Sequence, residues 1–417
     1  MDLALVRFTE ALSGSAAVSV EARQFIAIQK QLFESFLKLI AGAIDAKSPY
    51  TGGHCERVPE LTKMLAAAAE RSTTGTYADF SLNEDEWEAI HVASWLHDCG
   101  KVTTPEFVVD KATKLETIYD RIHEVRMRVE VMKREAEIAY LRDVVQNGQN
   151  DERKAALDSE LAQLDDDFAF LAECNIGGEF MSDEKIQRIR ELAGKTWTRT
   201  LDDRLGVSHA ELTRIELEES GPLPIAEPLI ADKIRHVIER PDSEKLPPNN
   251  RWGFKVEVPK VLYNRGEIHN LIVRRGTLTD EDRYKINEHI IQTIKMLDEL
   301  PFPRHLRNVS ELAGGHHEKM DGTGYPKRLS ADDMSPVARM MAIADIFEAL
   351  TAADRPYKKG KTLSEAVRIM TFMVKDKHID PELFRLFIES GVYLEYANRF
   401  MRPDQIDAVD LEKILAA

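Results

Sequence analysis

Two carboxylates that lie within strongly apolar helical segments constrain this chain more than any other feature of its sequence. Asp345 stands within residues 340–350, where its neighbours on nearly every side of a helix are apolar. Asp98 follows a second such segment, residues 87–96, whose apolar residues form one helical face. An unpaired carboxylate in such surroundings is strongly destabilising. We therefore predict that Asp345 binds a metal ion and that Asp98 is ligated or hydrogen-bonded.

Residues 315–326 combine two adjacent histidines with a sharply bent loop. His316 and His317 offer two metal-binding nitrogens, and the Gly-X-Gly-Tyr-Pro sequence that follows presents the ring of Tyr325. Glycine permits the positive φ angles that such a bend needs, and proline fixes the direction of the chain as it leaves. Taken alone, the segment is also consistent with a surface turn beside two solvated histidines. The other histidines of the chain decide between these interpretations.

Three further histidines occur where a helix would direct them into a cleft. His54 lies in the first turn of a helix, His97 directly precedes Asp98, and His289 lies beside an apolar stripe. Singly, such a residue is more often a helix cap, a surface residue or a hydrogen-bonded core residue. Together they complete a set of seven candidate metal ligands: His54, His97, Asp98, His289, His316, His317 and Asp345. Nitrogen and carboxylate ligands without cysteine favour Fe, Mn or Zn over a structural zinc site, and one bridging carboxylate would allow two cations.

The rest of the chain is predicted to be helical, with one long segment of different character. Residues 1–20 are predicted to be a leader with a small-residue linker at 13–19, and residues 21–46 an amphipathic helix that packs on its own core or dimerises. Apolar residues spaced alternately three and four apart predict an antiparallel helical hairpin at 116–173, and further helices with an irregular or β-hairpin segment follow at 174–273. The expected fold class is therefore all-α.

Composition limits the partners of the chain. A net charge of −16 argues against binding to DNA or RNA polymers or to anionic membranes, although metal ions and local cations can still neutralise a nucleotide substrate. No apolar run approaches the roughly 20 residues needed to span a bilayer, and the N-terminus does not resemble a signal peptide. Cys55, Cys99 and Cys174 form no CxxC motif, which favours a reducing cytoplasm.

Five elements, in this order, resemble the HD-GYP family, a branch of the HD superfamily of metal-dependent phosphohydrolases. The resemblance covers about residues 45–114 and 275–357. The elements are Thr51-Gly-Gly-His54-X-X-Arg57-Val58, His97-Asp98-X-Gly100-Lys101, Gly276-X-Leu278 leading to His289, His316-His317-Glu318-X-X-Asp321-Gly322-X-Gly324-Tyr325-Pro326, and Ala344-Asp345 leading to Arg355-Pro356-Tyr357. The His-His-Glu to Gly-Tyr-Pro element is highly specific.

The resemblance implies a phosphodiesterase that hydrolyses cyclic di-GMP to linear pGpG, to GMP or to both. A hydroxide bridging two divalent metal ions, with Fe or Mn expected, would attack the phosphodiester. One ion would be held by His54, His97 and Asp345, and the other by His289, His316 and His317.

The resemblance also implies roles for residues around the cations. Asp98 would bridge the two ions, and Asp98 and Lys101 would be the catalytic residues. Lys101 would contact the scissile phosphate, with Arg355 and Lys358 as further phosphate partners. Tyr325 would line the substrate pocket without taking part in the chemistry.

The implied fold is an HD-domain helical bundle with an insertion. The catalytic domain would comprise residues 21–115 and 274–417, and residues 116–273 would be inserted into it. Tyr50 stands where some family members have an acid for a third metal, so two metals are expected. Cys99 replaces the usual aliphatic residue and is expected to be a small buried hydrophobe.

Several alternatives stay open at this point. Residues 115–123 imitate the segment that leads to a ligand, but His123 comes three residues too early, so His289 is preferred. The substrate could be cyclic GMP-AMP instead, or the chain could be a non-catalytic effector that binds a cyclic dinucleotide. A homodimer through residues 21–46 or through the helical hairpin is a further expectation. The complete ligand set favours an enzyme over an effector.

Overall fold

The computed structural model describes residues 3–47, 53–219, 221–353 and 360–415. Helices dominate these residues, and the strands form two antiparallel pairs. The predicted all-α class is therefore confirmed. The chain divides into two compact units. Unit 1 comprises the described residues of Met1–Thr103, Trp252–Val256 and His289–Ala417, and unit 2 those of Thr104–Arg251 and Glu257–Glu288.

The helices vary widely in length. In chain order they are α1 Leu3–Lys47, α2 His54–Glu70, α3 Glu84–Leu96, α4 Glu106–Val109, α5 Ile122–Asn147, α6 Asp151–Ile176, α7 Asp183–Leu192, α8 His209–Ile215, α9 Glu267–Leu271, α10 Asp280–Asp298, α11 Val309–Gly314, α12 Pro336–Thr351, α13 Leu363–Lys375, α14 Pro381–Glu389, α15 Val392–Phe400 and α16 Leu411–Leu415. Among the residues described, none of these helices is both long and apolar enough to cross a membrane.

The strands are short. They are β1 Thr196–Arg199, β2 Ile225–Pro228, β3 Val237–Glu239 and β4 Val261–Asn264. β1 pairs with β2 and β3 pairs with β4, both antiparallel, and the second pair has an irregularity in its register after Ile238. The sequence predicted one irregular or β-hairpin segment in this region, whereas the described residues form two separate strand pairs.

Helix α1 is longer than predicted because residues 13–19 are helical. The hydroxyl of Ser19 donates a hydrogen bond to the carbonyl of Ser15 at 2.9 Å. Such bonds to the carbonyl four residues earlier allow a small polar residue to remain within a helix. The prediction of a linker at 13–19 is therefore wrong. Near its C-terminal end, α1 adds Leu37 and Ala41 to the core of unit 1.

Side-chain caps mark the starts of α3 and α12, two of the helices that carry the candidate site in unit 1. The capping box of α3 is formed by Asn83 and Glu86. The spacing of Ser81 and Glu84 is also that of a capping box, but these residues do not form it. Ser335 caps α12 and a proline occupies the first helical position. Helix α2 packs against both α3 and α12. The start of α2, the end of α3 and the middle of α12 therefore belong to one packed core.

Unit 2 contains the predicted helical hairpin. Helices α5 and α6 pack against each other, and between them Asn150 accepts hydrogen bonds from the backbone amides two and three residues further on. The sides that face each other contribute Val125, Val129, Leu164 and Leu171 to the core of this unit. These residues belong to the predicted pattern of alternating three- and four-residue spacings, so the antiparallel hairpin is confirmed.

Candidate metal centre

All seven predicted ligands lie in unit 1 and converge. His54 is the first residue of α2, and His97 and Asp98 follow the last residue of α3. His289 lies in α10, and Asp345 lies in the middle of α12. His316 and His317 follow the C-terminal end of α11. Each side chain is thus positioned by a helix or by the residues directly after one.

The ligand atoms form two groups that share one residue. In each group the atoms lie within 4.8 Å of one another. The first group is His54, His97, Asp98 and Asp345; the second is Asp98, His289, His316 and His317. The structure therefore brings together the two sets that the resemblance implied, with Asp98 common to both. Their role as metal ligands stays a proposal.

In the first group, two histidine nitrogens face two carboxylates. His54 Nε2 lies 3.2 Å from Asp98 Oδ2 and 3.2 Å from Asp345 Oδ1. His97 Nε2 lies 3.3 Å from Asp98 Oδ2 and 3.9 Å from Asp345 Oδ1. Both Nε2 atoms are buried and make no hydrogen bond to a described residue. Buried polar atoms without a hydrogen bond are rare, and their convergence on two carboxylates fits a cation.

In the second group, three imidazoles surround the other oxygen of the shared carboxylate. Asp98 Oδ1 lies 3.3 Å from His289 Nε2, which in turn lies 3.0 Å from His317 Nε2. His316 Nε2 is buried and has no hydrogen-bond partner in the described part of the chain. Nitrogen atoms this close, facing one carboxylate oxygen, have the donor chemistry of a divalent-metal site.

Backbone carbonyls orient two of the imidazoles. His97 Nδ1 lies 2.8 Å from the carbonyl of Ser94, and His316 Nδ1 lies 2.7 Å from the carbonyl of Ala313. A carbonyl can only accept, so Nδ1 carries the hydrogen and Nε2 keeps its lone pair. Each histidine lies three residues after its acceptor, at a helix end where carbonyls lack helical partners. The same local device therefore aims both Nε2 atoms into the centre.

A carboxylate that the sequence analysis missed orients a third imidazole. Glu348, which is 1% exposed, contacts His54 Nδ1 through Oε2. Its Oε1 accepts hydrogen bonds from Arg57 Nε at 2.7 Å and Nη2 at 2.6 Å. Burial opposes its ionisation, but His54 and Arg57 lower the pKa of Glu348 below its usual value. The available signal was spacing, because Glu348 lies one helical turn after Asp345 and so shares its face of α12.

Gly100 allows the end of α3 to approach α10 closely. A Cβ at this position would lie 1.9 Å from the carbonyl oxygen of His289 and 2.6 Å from the backbone nitrogen of Thr293. The Gly100 amide also donates a hydrogen bond to Thr293 Oγ1 at 2.9 Å. Only glycine fits here, and this contact sets the distance between Asp98 and His289.

The Gly-Tyr-Pro loop is held against the centre by another residue that was not assigned a role. Glu318 is 1% exposed and accepts hydrogen bonds from the backbone amides of Lys327 at 2.6 Å and Leu329 at 2.9 Å. The Tyr325 ring stacks on His317 with their centroids 4.8 Å apart. The loop thus places one aromatic face directly over a candidate ligand.

Of the remaining residues that the sequence analysis discussed, Lys101 lies beside the centre, whereas the others lie outside the described residues or away from the centre. Lys101 Nζ contacts Asp98 Oδ2, and its side chain is 32% exposed, so the ammonium group lies at the edge of the centre. Arg355 and Lys358, predicted to bind phosphate, lie outside the described residues, as does Tyr50. His123 is exposed on α5 beside Arg126.

The electrostatic environment keeps both acids of the centre ionised. Burial opposes the charge of Asp98, yet Lys101 and His97 lead the neighbouring groups that hold its pKa well below the usual value. Burial likewise opposes the charge of Asp345, and its contact with His54 holds the pKa of Asp345 far below the usual value. Both carboxylates are therefore available to a cation at neutral pH.

The pKa of His54 is shifted in the direction opposite to those of His316 and His317. Burial and the neighbouring histidine His97 lower the pKa of His316 to about 4, and burial with the adjacent His316 holds the pKa of His317 well below its usual value. Burial also opposes the charge of His54, but Asp345, Asp98 and Glu348 raise the pKa of His54 well above its usual value. A cation bound between these carboxylates would replace the positive charge of His54.

The helical core brings two histidine–carboxylate groups together, and their donor atoms suit divalent metal ions. Residues 224–383 match the family described as HD domain. The match includes His289, His316, His317 and Asp345. An HD domain is a divalent-metal domain, and the two ligand groups are its candidate site.

Several curated relatives are named as phosphodiesterases of cyclic dinucleotides, and these names support the HD-GYP resemblance seen in the motifs. The cyclic di-GMP phosphodiesterase PA4108 of Pseudomonas aeruginosa is 38% identical over 144 residues, which are 33% of this chain and 30% of the relative. The 3′3′-cGAMP-specific phosphodiesterase 1 of Vibrio cholerae is 32% identical over 148 residues, 33% of each chain. A cyclic di-GMP phosphodiesterase of Thermotoga maritima is 29% identical over 150 residues, 35% of this chain and 40% of the relative. The chain thus spans about a third of the length of these relatives.

Proposed function

We propose that this chain is a metal-dependent phosphodiesterase that hydrolyses cyclic di-GMP to linear pGpG, to GMP or to both. The observation that carries this proposal is the pair of ligand groups joined through Asp98. A shared carboxylate between two ligand sets is the arrangement that two-metal phosphodiesterases use for in-line displacement at phosphorus. The names of the relatives supply the substrate class, because they are described as phosphodiesterases of cyclic dinucleotides.

The ligand set is proposed to hold two divalent cations, Fe or Mn. His54, His97 and Asp345 would hold one cation; His289, His316 and His317 would hold the other; Asp98 would bridge them. When bound, such a pair lowers the pKa of water and offsets charge on the phosphoryl oxygens. The protein's own contribution is to fix the ligand atoms: backbone carbonyls and Glu348 set the imidazoles, and Gly100 sets the separation of α3 and α10.

Three side chains are proposed to act on the substrate. Lys101 is bound to Asp98 and is partly exposed, so it would hold the bridging carboxylate on one side and contact the scissile phosphate on the other. Tyr325, stacked on His317, would form one wall of the substrate pocket. Arg355 and Lys358 stay proposed phosphate partners on the strength of the motif alone.

The substrate has a second candidate. Relatives from Vibrio cholerae are named as 3′3′-cGAMP-specific phosphodiesterases, and one of them aligns with 56% of this chain. Cyclic GMP-AMP and cyclic di-GMP share both phosphodiester bonds and differ in one base. The metal centre acts on the shared part, so the two substrates are separated only by side chains that contact the bases.

The domain organisation is part of the proposal. We propose that residues 21–115 and 274–417 form the catalytic domain and that residues 116–273 are inserted into it. The free and buried cysteines Cys55, Cys99 and Cys174 support the expected reducing cytoplasm. Helix α1 supports a homodimer, since Phe25, Ile28 and other large apolar side chains along it are exposed.

The experiment begins with anaerobic purification, metal analysis and chromatography of the products formed from both cyclic dinucleotides. We expect close to two divalent ions per chain and hydrolysis of at least one substrate. Asp98→Ala should abolish turnover while the fold is retained, as checked by circular dichroism. If the metal-loaded wild type binds a cyclic dinucleotide but never cleaves it, the chain is an effector and the enzymatic proposal fails.

A further inference from the structure

Unit 2 contains a cavity that has no part in the proposed reaction. Its volume is about 610 Å³, which is within the range of small-ligand sites. The residues before and at the start of α5, strand β1, helix α8 and residues 227–236 line it, together with Arg265 and Glu267. It shares no described residue with the metal centre.

Three of the arginines that line this cavity are without a direct ion pair in the part of the chain that the structure describes. Seven arginine and lysine residues and five aspartate and glutamate residues line the cavity within the described part of the chain. Four of the basic residues are paired with carboxylates, as in the 2.9 Å contact between Arg128 and Glu267. Arg121, Arg214 and Arg265, which we call the arginine triad, form no ion pair with a described carboxylate.

The hydrogen bonds of the arginine triad go to backbone carbonyls or are missing. Arg121, only 9% exposed, donates through Nε to the carbonyl of Leu115 at 3.3 Å. Arg214 donates to the carbonyls of Arg235 and Ala210 at 3.1 and 3.0 Å. The Nε of Arg265 is buried and has no hydrogen-bond partner among the described residues. A buried guanidinium in this state is destabilising unless an anion completes it.

The arginine triad is close enough for its members to repel one another. Burial lowers the pKa of Arg265, and the positive charges of Arg121 and Arg214 lower it further. Burial also lowers the pKa of His236 in the same cavity to about 4, with further lowering by Arg121 and Lys233. Glu267 and Glu124 oppose the lowering of the pKa of Arg121, and Glu211 does so for Arg265. With seven basic and five acidic residues, the lining still carries two more positive than negative charges.

Besides arginines, aromatic side chains line the cavity, and they could contact the part of a ligand that lies beyond its phosphate group. The guanidinium group binds phosphate through two parallel hydrogen bonds, which makes arginine the preferred partner of phosphoryl groups. A single inorganic phosphate would fill only a small part of the volume. Trp197 lines the same cavity, and its Nε1 is buried with no hydrogen-bond partner in the described residues. Tyr119 adds a second aromatic side chain.

We propose that this cavity in unit 2 binds a nucleoside phosphate, with Arg121, Arg214 and Arg265 on the phosphate and Trp197 against the nucleoside. The cavity would be a ligand site separate from the metal centre. The ligand would supply the negative charge that the arginine triad lacks, and its base or sugar would offer an acceptor to Trp197 Nε1. This proposal does not depend on the proposed phosphodiesterase activity.

Isothermal titration calorimetry on the full chain tests the proposal. The protein is first treated with a chelator, so that nucleotide bound at the metal centre through cations does not contribute. The probes are GMP, AMP, inorganic phosphate and guanosine. We expect one site for GMP or AMP, an affinity that falls as salt is added, and at least tenfold weaker binding of inorganic phosphate and of guanosine.

Substitutions locate the site. Arg265→Met and Arg214→Met should each weaken nucleotide binding by at least tenfold, and Arg265→Lys, which keeps the charge but loses the planar fork, should give an intermediate effect. Arg142→Met changes an exposed arginine of α5 in the same unit and should leave binding unchanged. The Tm of ligand-free Arg265→Met should equal or exceed that of wild type, because the substitution removes a half-buried charge that Arg121 and Arg214 repel, and methionine can keep the contact with the Phe107 ring.

Three results would overturn the proposal. The first is absence of GMP and AMP binding at millimolar concentration by the folded, chelator-treated chain. The second is nucleotide binding that Arg265→Met and Arg214→Met leave intact. The third is a clear fall in the Tm of ligand-free Arg265→Met, which would mark the arginine as a structural residue. Equal affinity for inorganic phosphate and GMP would refute the nucleoside part.

Discussion

Replacing Glu348 by glutamine removes the negative charge next to His54 and nearly preserves the shape of the side chain. Glu348 is almost fully buried and is shared between His54 Nδ1 and Arg57. Glutamine keeps the length and branching but has one acceptor oxygen in place of two, and it carries no charge. It can therefore satisfy either His54 or Arg57, but its NH₂ group cannot accept from the other.

Glu348→Gln should lower both the affinity for metal ions and the free energy of unfolding. Loss of a group that orients a metal-binding histidine lowers metal affinity about 10- to 100-fold, or about 1.4–2.8 kcal/mol. Breaking a buried ion pair from one side costs about 3–5 kcal/mol. The Arg57 side chain is 18% exposed and regains some hydration, so we expect about 2–3 kcal/mol of lost stability.

The assay is a competition titration of Mn²⁺ against a chelator, combined with urea unfolding of the metal-free chain. Glu395→Gln, an exposed substitution on α15 of the same unit, is the matched control and should change neither quantity by more than about 0.5 kcal/mol. If Glu348→Gln keeps wild-type affinity and stability, Glu348 does not position His54, and the reasoning on this residue is refuted.

Three further predictions concern close packing, ligand choice and pH. Gly100→Ala should destabilise unit 1 by about 3 kcal/mol and reduce the metal content, since a Cβ there meets the His289 carbonyl at 1.9 Å. Gly42→Ala, with nothing within 4 Å, should be neutral or stabilising by urea unfolding. His289→Ala should lose about one of two metals by elemental analysis, whereas His123→Ala should keep both; equal losses would contradict this. Burial opposes the charge of Asp167, but its salt bridges lower the pKa of Asp167 below the usual 3.8. The stability that ionised Asp167 adds is therefore present above pH 3.8 and is lost as the pH falls through the folded-state pKa. Asp167→Asn should make the free energy of unfolding less dependent on pH in this range.

The candidate site was predictable where a local pattern was physically costly. Asp345 in an apolar helix and Asp98 after another are destabilising unless something satisfies them, and this cost is visible in the sequence alone. The structure brings both acids within reach of His54. The HD-GYP resemblance rested on the motifs, and the names of the relatives support it. The all-α class was predicted mainly from the spacing of apolar residues, and the structure confirms it.

Other features of the fold and of the candidate site left little sign in the sequence. Glu348 and Glu318 look like ordinary surface glutamates in one sequence, because their burial arises only when Arg57 or the loop amides meet them. The helical state of residues 13–19 was missed because serine hydroxyls that bond to helix carbonyls leave no compositional sign. Strands of three or four residues, such as β3 and β4, are too short for their alternation to be distinguished from loops.

The backbone carbonyls behind His97 and His316 affect how the protein acquires its cofactor. Because these carbonyls fix the tautomers, the two donor nitrogens face the centre before any ion arrives, and the chain itself needs little rearrangement on loading. A preorganised site of nitrogen and oxygen ligands accepts several first-row metals. Their relative affinities follow the general order for divalent ions, so affinity alone does not select one metal in the cell. The metal found in the purified protein should therefore follow the supply in the host cell, so that iron-replete and manganese-replete cultures would yield differently loaded protein with one unchanged fold.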